Sequence, residues 1–506
     1  MNHTVQYQTE LTPNLKTNFK ISAIMNFSKF SRTGESISQS GASVPLVPLV
    51  PVPLGLVPLK TSIWRKRLAC AFGGTYTSII LLVTILVFYL NITTIAQAQT
   101  PAPVQAEPIA LVGGTIHTIS GGVIENGTIL FEDGIITAIG TDVELPDGTR
   151  TEDVSGKQIY PGLIDAWSQM GIYEIGAVDM STDINEQGIV NPNVMVERAF
   201  NPESRWIGVA RSAGVLTTVT SPGGGLISGQ SAAMMMDGWA WDEMTLKSGV
   251  GLIVNWPSAN DEVDYTENIQ ALKDVFADAR SYKIARDAMN AGQAPRHDLD
   301  TRWETMIPVF RGERPVVVNA NEVRQIQDAI TWAENEQVNL IILGGRDSHL
   351  VSDHLKQKEI PVLITSVLAS PNRNWESYDA RYALPAKLYQ NGVEFAIAGT
   401  SSAPNANRLP FEAGAAAAFG LPVDEALKAL TLYPAKILGI DDRIGSLETG
   451  MDATLIITTG NPLEYGTQIE QVYVQGRKSD MMDMHRQFYE KYREREALKI
   501  KTSSVK

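Results

Sequence analysis

The chain has 506 residues, of which 44% are hydrophobic and 19% are charged, proportions that are ordinary for a globular protein and exclude disorder throughout. Residues 1–67 hold eight basic and two acidic residues, which leaves 34 basic and 54 acidic residues, a net charge of -20, in the remainder. A surface this acidic repels nucleic acid, so we expect no nucleic-acid binding. The single cysteine, Cys70, excludes an intramolecular disulfide and a cysteine-based zinc site.

The first 98 residues are predicted to be a targeting segment outside the folded body. Residues 1–67 are basic and contain a Val-Pro-Leu repeat, and frequent prolines favour an extended, disordered leader. Residues 68–98 contain an apolar run, residues 79–90, that approaches the length of a membrane span. The segment 68–98 is therefore predicted to be either a signal peptide or a membrane anchor.

The charges that flank this apolar run predict its orientation. Arg65-Lys66-Arg67 precede it, and no Lys or Arg follows until Arg150. By the positive-inside rule the N-terminus stays in the cytoplasm and the body is exported. Ala96-Gln97-Ala98 has the spacing of a signal-peptidase site, so cleavage and retention both stay open. We expect the protein to be periplasmic, or membrane-anchored and facing outward.

Short β-strand patterns at both flanks of the body predict one small β-sandwich. Residues 107–160 form its first part, with turn residues between successive strands, and residues 443–478 form its second part. Strands this short need another sheet to pack on, so the two flanks are expected to pair. The charged segment 479–506 that follows is predicted to be a helical tail.

Between the flanks, residues 161–442 carry the rhythm of alternating strands and helices. Short β-branched apolar runs are separated by helical segments such as 322–336, and continuous hydrophobicity is typical of strands covered on both faces. The rhythm predicts an α/β fold, either a TIM-like (β/α)8 barrel or a doubly wound open sheet. The runs are residues 215–219, 315–318, 340–343, 361–364 and 394–397.

Four segments, in this order and spacing, resemble the amidohydrolase superfamily, most closely its imidazolonepropionase-like branch. They read YPGLIDA at 160–166, GVLTTV at 214–219, YPAKILG at 433–439 and IGSLETGMDA at 444–453. The resemblance covers residues 108–478 and implies a (β/α)8 barrel with a β-sandwich built from both flanks. It also implies hydrolysis of non-peptide carbon–nitrogen bonds of the cyclic amide type, with a divalent metal such as zinc as the usual cofactor.

The metal-ligand positions of that family hold other residues here. A His-x-His pair is expected where the chain has Trp167 and Gln169, a strand-five histidine where it has Asn319, and a strand-eight aspartate near Ser401. Amide and hydroxyl oxygens are neutral donors, and indole cannot ligate, whereas zinc prefers imidazole, thiolate or carboxylate. We therefore expect a degenerate metal site and no cofactor.

In a barrel, functional residues lie where the strands end. The ligand pocket is predicted to contain Gln169, Asn319, Arg346, Asp347 and Ser401. This set is polar and fits a small polar ligand, although a local ion pair at a helix start also explains Arg346 and Asp347. His349 and His354, five residues apart, are expected on different faces of a helix surface.

Two acidic residues, Glu174 and Asp183, are the candidate catalytic bases, although a run of acidic residues is also typical of a solvated loop. Two functions stay open. One is a hydrolase of cyclic amides with an unorthodox or metal-free site, and the other is an inactive barrel that binds a small polar ligand or a protein partner in the cell envelope. An oligomer also stays open.

Overall fold

The computed structural model describes residues 100–400 and 402–503. The predicted leader and the segment 68–98 lie outside the described residues, as does Ser401. Within the described ranges, no helix combines the length and the apolar character needed to cross a bilayer.

The described residues contain sixteen strands and twelve α-helices. The strands are β1 Ile109–His117, β2 Val123–Glu132, β3 Ile135–Gly140, β4 Arg150–Asp153, β5 Gln158–Pro161, β6 Leu163–Ser168, β7 Val215–Thr220, β8 Ile227–Met235, β9 Thr245–Asn255, β10 Val316–Ala320, β11 Leu340–Gly344, β12 Val362–Thr365, β13 Phe395–Ala398, β14 Leu455–Thr458, β15 Ile469–Val474 and β16 Arg477–Ser479. The helices are α1 Arg205–Ser212, α2 Trp241–Met244, α3 Glu262–Asn290, α4 Thr301–Glu304, α5 Ile307–Phe310, α6 Val323–Glu336, α7 Ser352–Gln357, α8 Leu384–Asn391, α9 Leu409–Ala418, α10 Val423–Lys428, α11 Leu432–Ile437 and α12 Met484–Ser503. Short 3-10 turns lie at Asp179–Ser181, Val196–Ala199, Ser348–Leu350 and Ala403–Arg408.

Strands β6 to β13 form one eight-stranded sheet in chain order, and β13 packs against β6 to close it into a barrel. The predicted barrel is therefore confirmed, and the open sheet is wrong. Side chains alternate along each strand, so that Val317 faces the barrel interior while Val316 and Val318 pack in the core that contains the surrounding helices. This two-sided burial explains the continuous apolar run.

The third strand of the barrel departs from the regular (β/α)8 pattern. Strand β8 runs antiparallel to both β7 and β9, whereas β9 to β13 are parallel to one another. Only residues 221–226 connect β7 to β8, and a parallel crossover needs a dozen residues or more. The glycine-rich stretch 224–231 is thus a turn followed by the start of β8.

Helix α11 closes the barrel at the end where its strands begin. Ala435 and Leu438 pack against barrel-interior side chains such as Val250 and Ile341. Lys247, near the start of β9, donates from Nζ to Gly439 O at 2.7 Å. The motif at 433–439 therefore supplies the floor of the barrel, which leaves the opposite end as its mouth.

The second sheet combines both flanks of the body, in the order β16-β15-β14-β5-β1-β2-β3 with β4 beside β1. The flanks meet where β14 pairs antiparallel with β5, with Ile457 opposite Ile159. Side chains of this sheet form a separate hydrophobic core, which includes Phe131 and Tyr473. The small β-domain predicted from the two flanks is confirmed.

Candidate functional site

The mouth of the barrel is lined by side-chain amides. Asn255 and Asn319 lie opposite each other at the ends of the parallel strands β9 and β10. Asn319 Nδ2 is 3.5 Å from Asn255 Oδ1, and Asn321 Nδ2 donates to Asn319 Oδ1 at 3.3 Å. Asn255 Nδ2 in turn donates to Ser228 Oγ at 2.9 Å. Register between adjacent strands thus assembles a hydrogen-bonded row of amides.

Two further amides face the same end of the barrel. A methyl group placed on Gly223 would meet Asn185 Oδ1 at 3.3 Å and Gln169 Nε2 at 3.6 Å, so both side chains approach that glycine. The next residue, Gly224, accepts a hydrogen bond through its carbonyl from Asn255 Nδ2 at 3.3 Å. All five side chains are partly or fully exposed and can contact a ligand. We call them the carboxamide mouth: Gln169, Asn185, Asn255, Asn319 and Asn321.

The side chains at the family's metal positions do not fit a divalent cation. Trp167 packs beside the barrel interior, and its Nε1 is buried without a hydrogen-bond partner. An indole N–H only donates, and the amide of Asn319 is shared with its neighbours. Across residues 100–400 and 402–503, no group of three or more His, Cys, Asp or Glu is placed to hold a metal ion. The expected aspartate position, Ser401, lies outside the described residues.

A buried carboxyl at the closing seam of the barrel was missed from sequence. Asp165 in β6 is fully buried, and its Oδ1 accepts from Gly399 N at 2.9 Å and from Trp167 N at 3.4 Å. Its Oδ2 is buried without a partner. Burial, with a smaller contribution from the nearby Glu412, raises the pKa of Asp165 to about 7. The signal was an acidic residue inside an otherwise apolar strand.

The two candidate bases, Glu174 and Asp183, differ in burial and in contacts. Glu174 Oε1 accepts from Asn201 Nδ2 at 3.3 Å, and Trp206 Nε1 donates to the Glu174 carbonyl at 3.2 Å, so this half-buried residue contacts the start of α1. Burial raises the pKa of Glu174. The side chain of Asp183 is exposed. Within the described residues neither carboxylate hydrogen-bonds a mouth amide, and their catalytic role stays a prediction.

Arg346 and Asp347, expected in the pocket, belong to an ion network at the rim. Asp347 is buried, and both its oxygens accept from Arg373, at 2.9 and 2.8 Å. Arg346 Nη2 donates to Glu322 Oε1 at 3.0 Å, while its Nε is 3.7 Å from Asp347 Oδ1. The local pair between Arg346 and Asp347 is thus present, while the shorter contacts of both residues come from other segments. His349, expected on a helix surface, is half-buried beside this network.

Known amidohydrolases resemble this chain in sequence and in fold. The Amidohydrolase family matches residues 324–482. A solved amidohydrolase from Thermotoga maritima is 28% identical, with a TM-score of 0.68, over 73% of this chain and 99% of that one. The chain therefore resembles the amidohydrolase superfamily in sequence over residues 324–482 and in fold over 73% of its length. The resemblance seen in the four motifs is confirmed at that level, and the imidazolonepropionase-like branch stays a prediction.

Two curated proteins also match this chain in sequence. Amidohydrolase tasK of Hapsidospora irregularis is 21% identical in an alignment 386 residues long, which covers 69% of this chain and 39% of that protein. N-acetylglucosamine-6-phosphate deacetylase of Haemophilus influenzae is 45% identical over 49 residues, 10% of this chain and 13% of that enzyme. The chain thus spans about two fifths, or less, of the length of the curated relatives that it matches.

Proposed function

We propose that this chain is a hydrolase that acts on a non-peptide carbon–nitrogen bond in a small, neutral molecule of the cyclic amide class. The carboxamide mouth carries the proposal, because it occupies the end of the barrel at which members of this fold bind their ligands. Resemblance to the superfamily supplies the reaction class by analogy of fold.

The chemistry of the mouth selects a neutral polar ligand. Each side-chain amide offers two N–H donors and a carbonyl acceptor, and a cyclic amide presents the matching N–H and C=O. The row formed by Asn255, Asn319 and Asn321 carries no formal charge, so it gives a charged group no ionic partner. Their mutual distances of 3.3 to 3.5 Å are long for hydrogen bonds, so exchange for a ligand costs little.

Binding without turnover is the second candidate function, and the donor set at Trp167, Gln169 and Asn319 favours it. A divalent metal bound in this fold would supply an activated water at neutral pH, and these side chains do not fit one. Under this alternative the chain recognises the same cyclic amides and leaves them intact.

Both candidates are tested with one panel of probes. The full chain is incubated with dihydrouracil, hydantoin and 2-pyrrolidone, and ring opening is followed by liquid chromatography while the melting temperature is recorded. Asn319→Ala removes the central amide of the row. Asn339→Ala, at the opposite end of the barrel beside β11, is the matched control, since its amide bonds only Gly312 O at 3.1 Å.

Three outcomes separate the candidates. Ring opening that Asn319→Ala slows about tenfold, as expected for a lost polar contact to substrate of about 1.4 kcal/mol, supports the hydrolase. No ring opening, but a ligand-dependent rise in melting temperature that Asn319→Ala alone removes, supports the binding protein. Neither turnover nor stabilisation by any probe contradicts the assignment of the mouth to cyclic amides.

A further inference from the structure

The loops that follow β11 and β12 enclose a cavity of about 160 Å³ at the rim of the barrel. It adjoins the carboxamide mouth, because the backbone N–H of Asp347 donates to Asn321 O at 2.9 Å. We call it the rim cavity, and its ionisable lining residues are Arg346, Asp347, His349, Glu376, Arg381 and Lys387.

The two carboxylates of this lining already have partners outside the cavity. Arg373, which is not part of the lining, donates to both oxygens of Asp347 and lies 3.3 Å from Glu376 Oε1. Glu376 Oε2 also accepts from the backbone N–H of Asn372 at 2.8 Å. Bidentate pairing of this kind satisfies both charge and geometry. The two carboxylates of the lining therefore already have ionic and hydrogen-bond partners.

Two of the basic side chains of the lining, Arg381 and Lys387, are not paired in the same way. Within the described residues, neither Arg381 nor Lys387 has a carboxylate oxygen within 4.0 Å of its side-chain nitrogens. Arg381 Nη2 donates to the neutral Asn372 Oδ1 at 2.8 Å. The Nε atoms of Arg346 and Arg381 are buried without hydrogen-bond partners. Buried donors without partners are costly, so an acceptor beside these two groups would be stabilising.

The positive charges around these donors favour an anion as their acceptor. The pKa of Arg381 is lowered by burial and by the neighbouring guanidinium of Arg346, and the smaller opposing effects of Glu376 and Asp347 do not reverse this direction. The pKa of His349 is lowered by burial and by Lys387, and its Nδ1 is buried without a partner. The guanidinium groups of Arg346 and Arg381 repel each other in this half-buried space, and an anion between them would be attracted to both.

We infer that the rim cavity binds a small oxyanion, held by Arg381 and Lys387 with Arg346 at its side. Guanidinium groups present planar pairs of N–H donors that match the oxygens of carboxylate and phosphate, and an ammonium adds a point charge. Carboxylate and phosphate share this chemistry, and the geometry fits both. The site does not depend on hydrolysis at the carboxamide mouth.

Isothermal titration calorimetry on the full chain tests the site, with sodium phosphate and sodium acetate as separate probes at constant ionic strength. Wild type is compared with Arg381→Gln and Lys387→Met. Arg302→Gln is the matched control, because Arg302 is an exposed arginine outside the cavity that pairs with Asp300 at 2.8 Å. A constant ionic strength removes general screening from the comparison.

The expected result is saturable binding of at least one anion, weakened about tenfold or more in Arg381→Gln and Lys387→Met and unchanged in Arg302→Gln. Tighter phosphate than acetate identifies a phosphoryl group as the natural ligand, and the reverse identifies a carboxylate. Absence of saturable binding in wild type, or equal binding in all four proteins, overturns the site. Should Arg381→Gln fail to fold, Lys387→Met, a half-buried residue of α8, decides alone.

Discussion

Asp165 Oδ1 accepts a hydrogen bond from the backbone N–H of Gly399 at 2.9 Å, across the seam where the first and last strands of the barrel meet. The other oxygen, Oδ2, is buried and has no partner. This arrangement suits a protonated carboxyl better than a carboxylate, because an ionised Oδ2 would be buried without compensation. Burial accordingly raises the pKa of Asp165 from 3.8 to about 7.

Asp165→Asn is expected to flatten the pH dependence of stability. In the folded wild type Asp165 keeps its proton up to about pH 7, while the unfolded chain loses it near pH 4, so the free energy of unfolding falls as pH rises between these values. The full effect is at most about 4 kcal/mol, at roughly 1.4 kcal/mol per pH unit. Asparagine is neutral throughout. Urea unfolding at pH 5, 6, 7 and 8 measures the difference.

Two comparisons make this prediction specific. Asp153→Asn replaces an exposed carboxyl that has an ordinary hydrogen bond to its own loop and should keep the wild-type slope. The pKa of buried Glu412 is also raised, so a residual slope remains in Asp165→Asn. A slope in Asp165→Asn as steep as that of wild type would show that Asp165 is ionised in the folded protein.

The sequence predicted the parts of the fold that depend on local pattern. The apolar runs at β10 and β11 were recognisable because both faces are buried, and the flanking strands because short turns separate them. Strand β8 was missed because its direction follows from a six-residue connection and not from its own composition. The sequence predicted individual mouth residues, Gln169 and Asn319, but not that side-chain amides from several strands lie together. Asn255 and Asn319 meet through strand register, which no local pattern encodes.

Gly162→Ala is expected to destabilise the junction between the two sheets. Gly162 separates β5 from β6, and a Cβ at this position would lie 2.8 Å from Leu216 Cδ1 and 2.9 Å from Leu216 Cβ. Leu216 is fully buried, so it has little room to move, and overpacking of this kind costs about 1–3 kcal/mol. Thermal unfolding of the full chain measures the loss.

Gly466→Ala is the matched control for that substitution. A Cβ at Gly466 meets nothing within 4 Å, and its φ lies outside the left-handed region. Alanine there should leave stability unchanged or raise it slightly, because it restricts the unfolded chain. Equal melting temperatures for Gly162→Ala and wild type would mean that Leu216 adopts another rotamer without cost.

The pair formed by Asp347 and Arg373 is expected to stabilise the rim more than surface pairs do. The Asp347 side chain is only 7% exposed and the Arg373 side chain 23%, and their bond is bidentate. Arg373→Gln leaves the buried Asp347 carboxylate without its main partner, a change that costs about 3 kcal/mol. Lys157 and Glu470, 35% and 41% exposed, form the control pair, and Lys157→Gln should cost less than about 1 kcal/mol.

A double-mutant cycle separates the pair itself from the packing of each side chain. The single variants Arg373→Gln and Asp347→Asn and their double variant are compared by urea unfolding. The coupling energy should be well above that of the Lys157 and Glu470 pair, since close neighbours in one network are non-additive. A coupling energy near zero would show that solvent screens Asp347 despite its burial.

The metal content of the purified chain directly tests the donor set at the mouth of the barrel. The full chain, purified without chelator or metal-affinity steps, is expected to contain far less than one zinc, iron or manganese per molecule by elemental mass spectrometry, because amides and an indole stand at the ligand positions. Prolonged dialysis against a chelator should then leave the melting temperature unchanged. The metal content and melting temperature of wild type are compared with those of Asn319→His, which places an imidazole at the end of β10. About one equivalent of metal in wild type, with a melting temperature that falls on chelation, would show that the chain uses ligands other than Trp167, Gln169 and Asn319.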